Sequence, residues 1–124
     1  MPTLSDKRRA FRALHEQGCF VLPNPWDIGS ARYLQHLGFK ALASTSAGFA
    51  FAQGLPDAGV SRDMMLAHLR EIVGVTDVPV NADFEGGYAD APDEVAALIA
   101  WLCGPDSAAI TGAVLPVDAG MTAS

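Results

Sequence analysis

The stretch VPVNADFEGGYAD, residues 78–90, decides how the rest of this chain is understood. A short apolar run leads into two carboxylates, Asp83 and Glu85, at a spacing of i, i+2. On an extended strand that spacing places both side chains on one face. Two carboxylates on one face repel each other unless a proton or a cation lies between them. Two hypotheses follow: a metal or acid–base site at a strand end, or an ordinary polar turn.

Outward from this stretch, strand and helix patterns alternate along the chain. Apolar runs bounded by turn residues predict strands at 19–24, 40–44, 78–83 and 112–118. Helix-start signals stand at Thr3, Asp27, Ser61 and Pro92, each followed by apolar residues at helical spacing. Strands that alternate with helices predict parallel pairing, and short apolar strands are typical of sheets covered by helices. The sequence therefore predicts an α/β fold built from parallel (β/α) units.

Polar residues collect where the predicted strands end. They are Asn24 and Asp27 after the first strand, Ser44, Thr45 and Ser46 after the second, and Asp83 and Glu85 after the third. Ligands of parallel α/β folds bind at the carboxyl ends of the strands. Residues 45–60 are predicted to be a loop without regular structure, long enough to indicate a lid or a binding loop. The alternative is a flexible connection with no task.

Composition excludes several classes of function. The chain has 124 residues, is 50% hydrophobic, and carries a net charge of −6 with a mean hydropathy of +0.21. Four of its eight basic residues lie within residues 7–12, and none follows Arg70. Nucleic acid is therefore not a predicted partner. No apolar run approaches the ~20 residues that cross a bilayer, and no secretory signal begins the chain. We expect a cytoplasmic protein without a membrane partner.

Histidine and cysteine give no catalytic or metal-binding pattern. His15, His36 and His68 each lie in a helical pattern and are predicted to be partly exposed helix residues. The cysteines Cys19 and Cys103 are far apart and are predicted to be buried, reduced thiols.

The segment FVLPNPWDIGSARYLQHLGFKALASTSAGFAFAQGLPDAGVSRDMMLAHL (20–69), followed by the 78–90 stretch, resembles the amino-terminal half of the isocitrate lyase/phosphoenolpyruvate mutase superfamily. The resemblance covers roughly residues 5–97. It implies a partial TIM-type barrel of about four strands with flanking helices. It also implies a Mg²⁺-dependent enzyme that cleaves or forms C–C or P–C bonds beside a 2-oxoacid, through an enolate.

The resemblance also implies site residues. The acidic motif of the family falls on Asp83, Glu85, Gly87 and Tyr88, and Ala89 stands where its last glycine would be. Asp83 would be the closest metal ligand. Glu85 would act through a metal-bound water and as a catalytic residue. Asp57, in a GLPD sequence, would be a second catalytic residue on a gating loop.

The turn after the second strand resembles the oxoacid-binding turn of the family. The resemblance implies that Thr45, Ser46, Ala47 and Gly48 hold the carboxylate and carbonyl of a small anionic 2-oxoacid-type substrate. Preorganised backbone donors together with Mg²⁺ stabilise the charge that develops on oxygen when a bond next to a carbonyl breaks.

The end of the chain has a different character. Residues 98–124 resemble the closing helix and strand of a short-chain dehydrogenase/reductase, with a join near residues 92–101. We therefore predict two units, a partial barrel at 1–97 and a packed tail at 98–124. The chain lacks a G-x-G-x-x-G phosphate loop and a Tyr-x-x-x-Lys pair, so the tail brings no dehydrogenase chemistry.

Three functions are open at this point. The first is a Mg²⁺-dependent lyase or mutase impaired by truncation, since a barrel of this type needs ~250 residues. The second is a dehydrogenase-type oxidoreductase, and the third is a non-catalytic fragment that at most binds metal or self-associates.

The strand at 112–118 could pair beside the third strand and bring Asp118 to the acidic site. Open strand edges predict self-association.

Overall fold

A computed structural model of the chain describes residues 1–89 and 91–103. In chain order the elements are α1 (Leu4–Leu14), α2 (Ile28–His36), β1 (Leu42–Ala43), α3 (Ser46–Ala52), α4 (Arg62–Val75), β2 (Val80–Asn81) and α5 (Pro92–Cys103). The predicted strand at 112–118, and with it the placement of Asp118, lies outside the described residues. Within them, no helix is both long and apolar enough to cross a membrane.

The helix starts predicted from capping residues are confirmed. Thr3 caps α1 in a reciprocal capping box with Asp6, and Asp27 caps α2 in the same way with Ser30. Ser61 caps α4, and α5 begins at Pro92. A cap gives a partner to an N–H group that has no acceptor within the first turn. Short-range hydrogen bonding thus fixes where each of these helices begins.

The two strands pair in parallel, as predicted. Leu42 lies opposite Val80, and Ala43 lies opposite Asn81. The ladder continues one step beyond β1, where the Ser44 N–H donates to the Asn81 carbonyl at 2.8 Å. About four strands were expected, and the described residues contain two.

The predicted strand at 19–24 does not form a regular strand, although this segment lies beside β1. The Ala43 N–H donates to the Pro23 carbonyl at 3.1 Å. A parallel ladder would next need a donor from residue 25, which is proline and has no N–H. The side-chain amide of Asn24 donates to the Ala43 carbonyl instead, at 3.1 Å. Proline therefore interrupts the backbone ladder, and an asparagine side chain replaces the missing bond.

The prediction of an unstructured loop at 45–60 is wrong in its first half, which contains α3. The Thr45 hydroxyl accepts from the Gly48 N–H at 3.2 Å, which starts the helix. The sequence SAGFAFA is rich in alanine, the strongest helix former, and has one glycine. The second half, from Gly54 to Gly59, remains a chain of turns.

Two groups of buried apolar side chains form the core. One joins α2, β1, α4 and β2 through Ala31, Leu42, Ile72, Val73 and Val80. The other joins α3, α4 and the segment after β2 through Phe49, Ala50, Val60, Met65, Leu69, Ala82 and Phe84. Helix α4 contributes to both groups, so it holds the two strands and α3 in one packed unit.

Helix α1 is fastened to the end of α4 by a buried lysine. The Lys7 ammonium donates to the carbonyl of Val73 at 2.9 Å and to that of Thr76. The last carbonyls of a helix lack intrahelical donors, and a cation is favourable near them. Burial is the main cause that lowers the pKa of Lys7, and the negative charge of Asp77 opposes it.

Two predictions of exposure are wrong. His68 was expected to be partly exposed, but it is only 4% exposed, because it faces α3 rather than solvent. Cys19 was expected to be buried, but it is exposed in the irregular segment after α1.

Gly48→Ala should destabilise the protein by about 1–3 kcal/mol, as overpacking does. A Cβ at residue 48 would lie 2.4 Å from the Trp26 ring and 2.6 Å from Thr45 Cγ2. Urea unfolding followed by circular dichroism measures the effect. Gly74→Ala is the matched control, since a Cβ at residue 74 meets nothing within 4 Å. Equal stability of the two variants would contradict the prediction.

Candidate active site

Asp83 connects the carboxyl ends of the two strands. Its N–H donates to the Ser44 hydroxyl at 2.8 Å, just after β1. Its carboxylate Oδ2 accepts from the Ser46 N–H at 3.0 Å and from the Ser46 hydroxyl at 2.9 Å. Oδ1 accepts from the Glu85 N–H at 3.2 Å. The residues predicted to gather at the strand ends therefore include one group that is joined by direct hydrogen bonds.

Glu85 does not continue an extended strand from Asp83. Strand β2 ends at Asn81, and Glu85 lies in a turn with a left-handed φ of 51°. The i, i+2 argument from strand geometry therefore does not apply to this pair. Tyr88, with a φ of 56°, closes the turn by donating from its hydroxyl to Glu85 Oε1 at 3.1 Å. Tyr88 thus fixes the Glu85 carboxylate from within the same turn.

The electrostatic surroundings of Tyr88 show how closely this turn is packed. Its pKa is raised, first by burial of the phenol and then by the charge and hydrogen bond of Glu85, with a smaller effect of Asp83. A phenol near two carboxylates remains protonated and can donate. The sequence pattern places Tyr88 in the acidic motif but does not predict this contact. A tyrosine three residues after an acid in a glycine-rich turn is the signal that could have indicated it.

The predicted oxoacid-binding turn forms the start of α3. The Thr45 hydroxyl caps the helix. Ser46 donates from both its N–H and its hydroxyl to the Asp83 carboxylate. Gly48 donates its N–H to Thr45. The N–H of Ala47 lies in the first turn, where no intrahelical acceptor exists. Of the N–H groups of Ser46, Ala47 and Gly48, that of Ala47 is the one left for an external acceptor.

Asp57 is not brought to this group. It is exposed, and its Oδ1 accepts from the N–H of Ala58, which has a φ of 58°. Within residues 1–89 and 91–103, no hydrogen bond or ion pair joins Asp57 to Asp83 or Glu85. Its predicted catalytic role remains a prediction.

The donor set suits a cation that keeps part of its water shell. A carboxylate offers about four lone-pair positions. Hydrogen bonds to Asp83 occupy three of them, so one remains on Oδ1. Glu85 has one carboxylate oxygen in its bond with Tyr88. In the part of the chain that the structure describes, no three His, Cys, Asp or Glu side chains are grouped to hold a metal. Mg²⁺, which often uses one or two carboxylates together with waters and substrate oxygens, fits these residues.

Comparison with known proteins identifies the family. The sequence profile described as phosphoenolpyruvate phosphomutase matches residues 11–111. The chain belongs to the phosphoenolpyruvate phosphomutase family. The match covers α2 to α5 and the Asp83 group, which consists of Ser44, Ser46, Asp83 and Glu85. It extends past the predicted join near residues 92–101.

Individual relatives agree with this family. A candidate lyase/mutase from Burkholderia cenocepacia is 46% identical in sequence, with a TM-score of 0.80 over 89% of this chain. An oxaloacetate acetylhydrolase, crystallised with its product oxalate, is 27% identical with a TM-score of 0.74 over 91% of this chain. The Corynebacterium glutamicum protein named "Probable 2-methylisocitrate lyase 2" is 32% identical over 88 residues, which is 69% of this chain.

The chain spans only part of each relative. It covers 39% of the Burkholderia protein, 39% of the oxaloacetate acetylhydrolase and 29% of the Corynebacterium protein. The structural neighbours are TIM-barrel enzymes of the phosphoenolpyruvate mutase/isocitrate lyase superfamily, and the described structure is a part of such a barrel. None of the relatives named here is a dehydrogenase. The dehydrogenase-like tail and the division at residue 97 stay predictions.

Proposed function

We propose that this chain is the amino-terminal part of a Mg²⁺-dependent lyase or mutase that acts on a small carboxylate related to a 2-oxoacid. The single observation that supports this best is the double hydrogen bond from Ser46 to the Asp83 carboxylate. It orients a carboxylate at the strand ends, beside the first turn of α3. Hydrogen bonds of this kind commonly position metal-ligating groups.

Asp83 and Glu85 would hold the metal ion in this proposal. Ser46 keeps the Asp83 carboxylate in place from one side, and Tyr88 restrains Glu85 from the other. When bound, Mg²⁺ would supply Lewis-acid stabilisation of negative charge on the substrate carbonyl oxygen. The Ala47 N–H, in the first turn of α3, would donate to the substrate carboxylate. Residues 45–48 would thereby orient the substrate.

The substrate class rests on the relatives. Oxaloacetate acetylhydrolase releases oxalate as a product, and the phosphomutase for which the family is described acts on phosphoenolpyruvate. Both names refer to small carboxylates with a second oxygen near the carboxyl group, which suits a site that combines a hard cation with backbone donors.

A non-catalytic fragment is the second candidate. The observation in its favour is the coverage, because the matched part of the chain spans only 29–39% of the relatives named above. No lysine or arginine follows Arg70, so residues 71–124 supply no permanent cation for an anionic substrate. Binding of Mg²⁺ and oxalate distinguishes the two candidates without requiring turnover.

The test is calorimetric titration with Mg²⁺ and then with oxalate at saturating Mg²⁺. A blank titration of oxalate into Mg²⁺ corrects for their own association. We expect saturable binding of both by the unchanged chain, and at least a tenfold loss for Asp83→Asn, which keeps the side-chain volume and one acceptor oxygen. Asp63→Asn on the exposed face of α4 is the matched control and should bind as the unchanged chain does. Unchanged binding in Asp83→Asn would overturn the proposed site. No saturable binding by the unchanged chain would favour the non-catalytic fragment.

A further inference from the structure

A cavity open to solvent lies outside the Asp83 group, between the start of α2, helix α3 and helix α4. Its volume is about 300 Å³, at the small end of the range for ligand pockets. Its lining includes two aromatic rings, two carboxylates, an amide and an imidazole, namely Trp26, Phe49, Asp27, Glu71, Gln53 and His68. None of the lining residues belongs to the Asp83 group, so the proposed lyase site does not account for this cavity.

The wall of the cavity contains a buried polar atom without a partner. His68 is 4% exposed, and its Nε2 has no hydrogen-bond partner. The imidazole stacks on the Phe49 ring with a centroid distance of 3.8 Å and an angle of 9° between the planes. Buried polar atoms in folded proteins nearly always have a partner, so this nitrogen is an exception among the described residues. Here the unpaired nitrogen belongs to a residue of the cavity wall.

The cavity is negatively charged. Burial lowers the pKa of His68, so the imidazole is neutral at pH 7, while Glu71 and Asp27 both act on it in the opposite direction. Hydrogen bonding to Ser30 lowers the pKa of Asp27, which therefore stays ionised. No lining residue is a lysine or an arginine. Two carboxylates thus act on a neutral histidine with no fixed cation in the lining to balance them.

We propose that this cavity binds a small organic cation, a protonated primary amine on a short apolar body. Aromatic rings attract such a cation and cover its hydrocarbon part. Its ammonium can donate to the carboxylates of Asp27 and Glu71, which are both exposed at the cavity.

Two other ligand classes fit less well. A bare metal ion would use only the carboxylates and the imidazole of the lining, and would leave the Trp26 and Phe49 rings without a role. An anion would face two carboxylates without a cationic side chain in the lining. The organic cation is the class that uses both the rings and the charges.

The test uses the fluorescence of Trp26 in the full chain. The sequence contains two tryptophans, so Trp101→Phe serves as the background in which Trp26 alone reports. The probe is n-propylammonium, with n-propanol and propionate as neutral and anionic compounds of similar size. We expect saturable quenching by the ammonium in the millimolar range, and no saturation by the alcohol or the carboxylate. Equal responses to the ammonium and the alcohol would overturn the proposal.

Variants in the same background separate the cavity from general charge effects. Glu71→Gln removes one carboxylate from an exposed helix position and should weaken n-propylammonium binding at least fivefold. Glu16→Gln, an exposed glutamate outside the cavity, removes the same charge and should leave the affinity unchanged. Asp83→Asn should also leave it unchanged, which keeps this result independent of the proposed lyase site. If Glu71→Gln binds as tightly as Glu16→Gln, the proposal is wrong.

Discussion

Asp83→Ala should lower the free energy of unfolding by about 3 kcal/mol, because hydrogen bonds to a charged group contribute more than neutral ones and this change removes three. The Ser46 N–H and hydroxyl would lose their acceptor in a residue that is only 6% exposed. The Glu85 N–H would lose its acceptor as well. Urea unfolding in the absence of Mg²⁺ measures the structural effect alone.

Two further variants test whether the loss of stability in Asp83→Ala comes from the lost hydrogen bonds. Asp83→Asn retains an acceptor oxygen and should cost about 1 kcal/mol, the usual contribution of a neutral hydrogen bond. Asp57→Ala removes an exposed carboxylate that, within the described residues, is hydrogen-bonded to the N–H of the next residue. It should change stability by no more than about 0.5 kcal/mol. If Asp83→Ala is as mild as Asp57→Ala, the carboxylate does not connect the strand ends as described.

Lys7→Met should cost about 2 kcal/mol, since it leaves two buried carbonyls without their charged donor. Methionine keeps most of the hydrocarbon stem, so the change isolates the ammonium. The adjacent Arg8→Met is the control, because Arg8 is exposed on α1. Thermal and urea unfolding of the two variants measures the difference, and equal losses would contradict the role of Lys7.

The difference in stability between the unchanged chain and Lys7→Met should depend on pH in a predictable direction. Burial lowers the pKa of Lys7 in the folded protein below its ordinary value of 10.5. Between the two pKa values the unfolded chain binds more protons, so stability rises with pH in this interval. The stability advantage of the unchanged chain over Lys7→Met should therefore grow as the pH rises toward 10.5. A constant difference between pH 7 and 10.5 would show that the lysine pKa is not lowered.

The sequence allowed most of the local structure to be predicted, because local bonds determine it. Capping residues located the starts of α1, α2 and α4, and Pro92 located that of α5. The predictions at 19–24 and 45–60 failed for opposite reasons. At 19–24 the apolar pattern predicted a strand, but prolines lack the N–H groups that a regular strand needs. In the second, small residues that are typical of a loop formed a helix once Thr45 capped it.

The parts of the site that follow from strand topology alone were predictable from the sequence. Parallel strands bring their carboxyl ends together, and Ser46 and Asp83 accordingly form hydrogen bonds across 37 positions of sequence. The direction of the Glu85 side chain was not predictable in this way, because Glu85 has a left-handed backbone conformation and does not continue the strand. Neither was the burial of His68, which depends on stacking against a ring of α3.

The pairing of Asn24 with Ala43 has a chemical consequence for the lifetime of the fold. An asparagine ages fastest when the nitrogen of the following residue attacks its side-chain amide and closes a five-membered imide. At Asn24 the following residue is Pro25, whose nitrogen bears no hydrogen, so this ring closure is blocked. Conversion to aspartate would set a carboxylate against the Ala43 carbonyl oxygen, with no proton between them. The proline that removes a donor from the sheet therefore also protects the amide that replaces it.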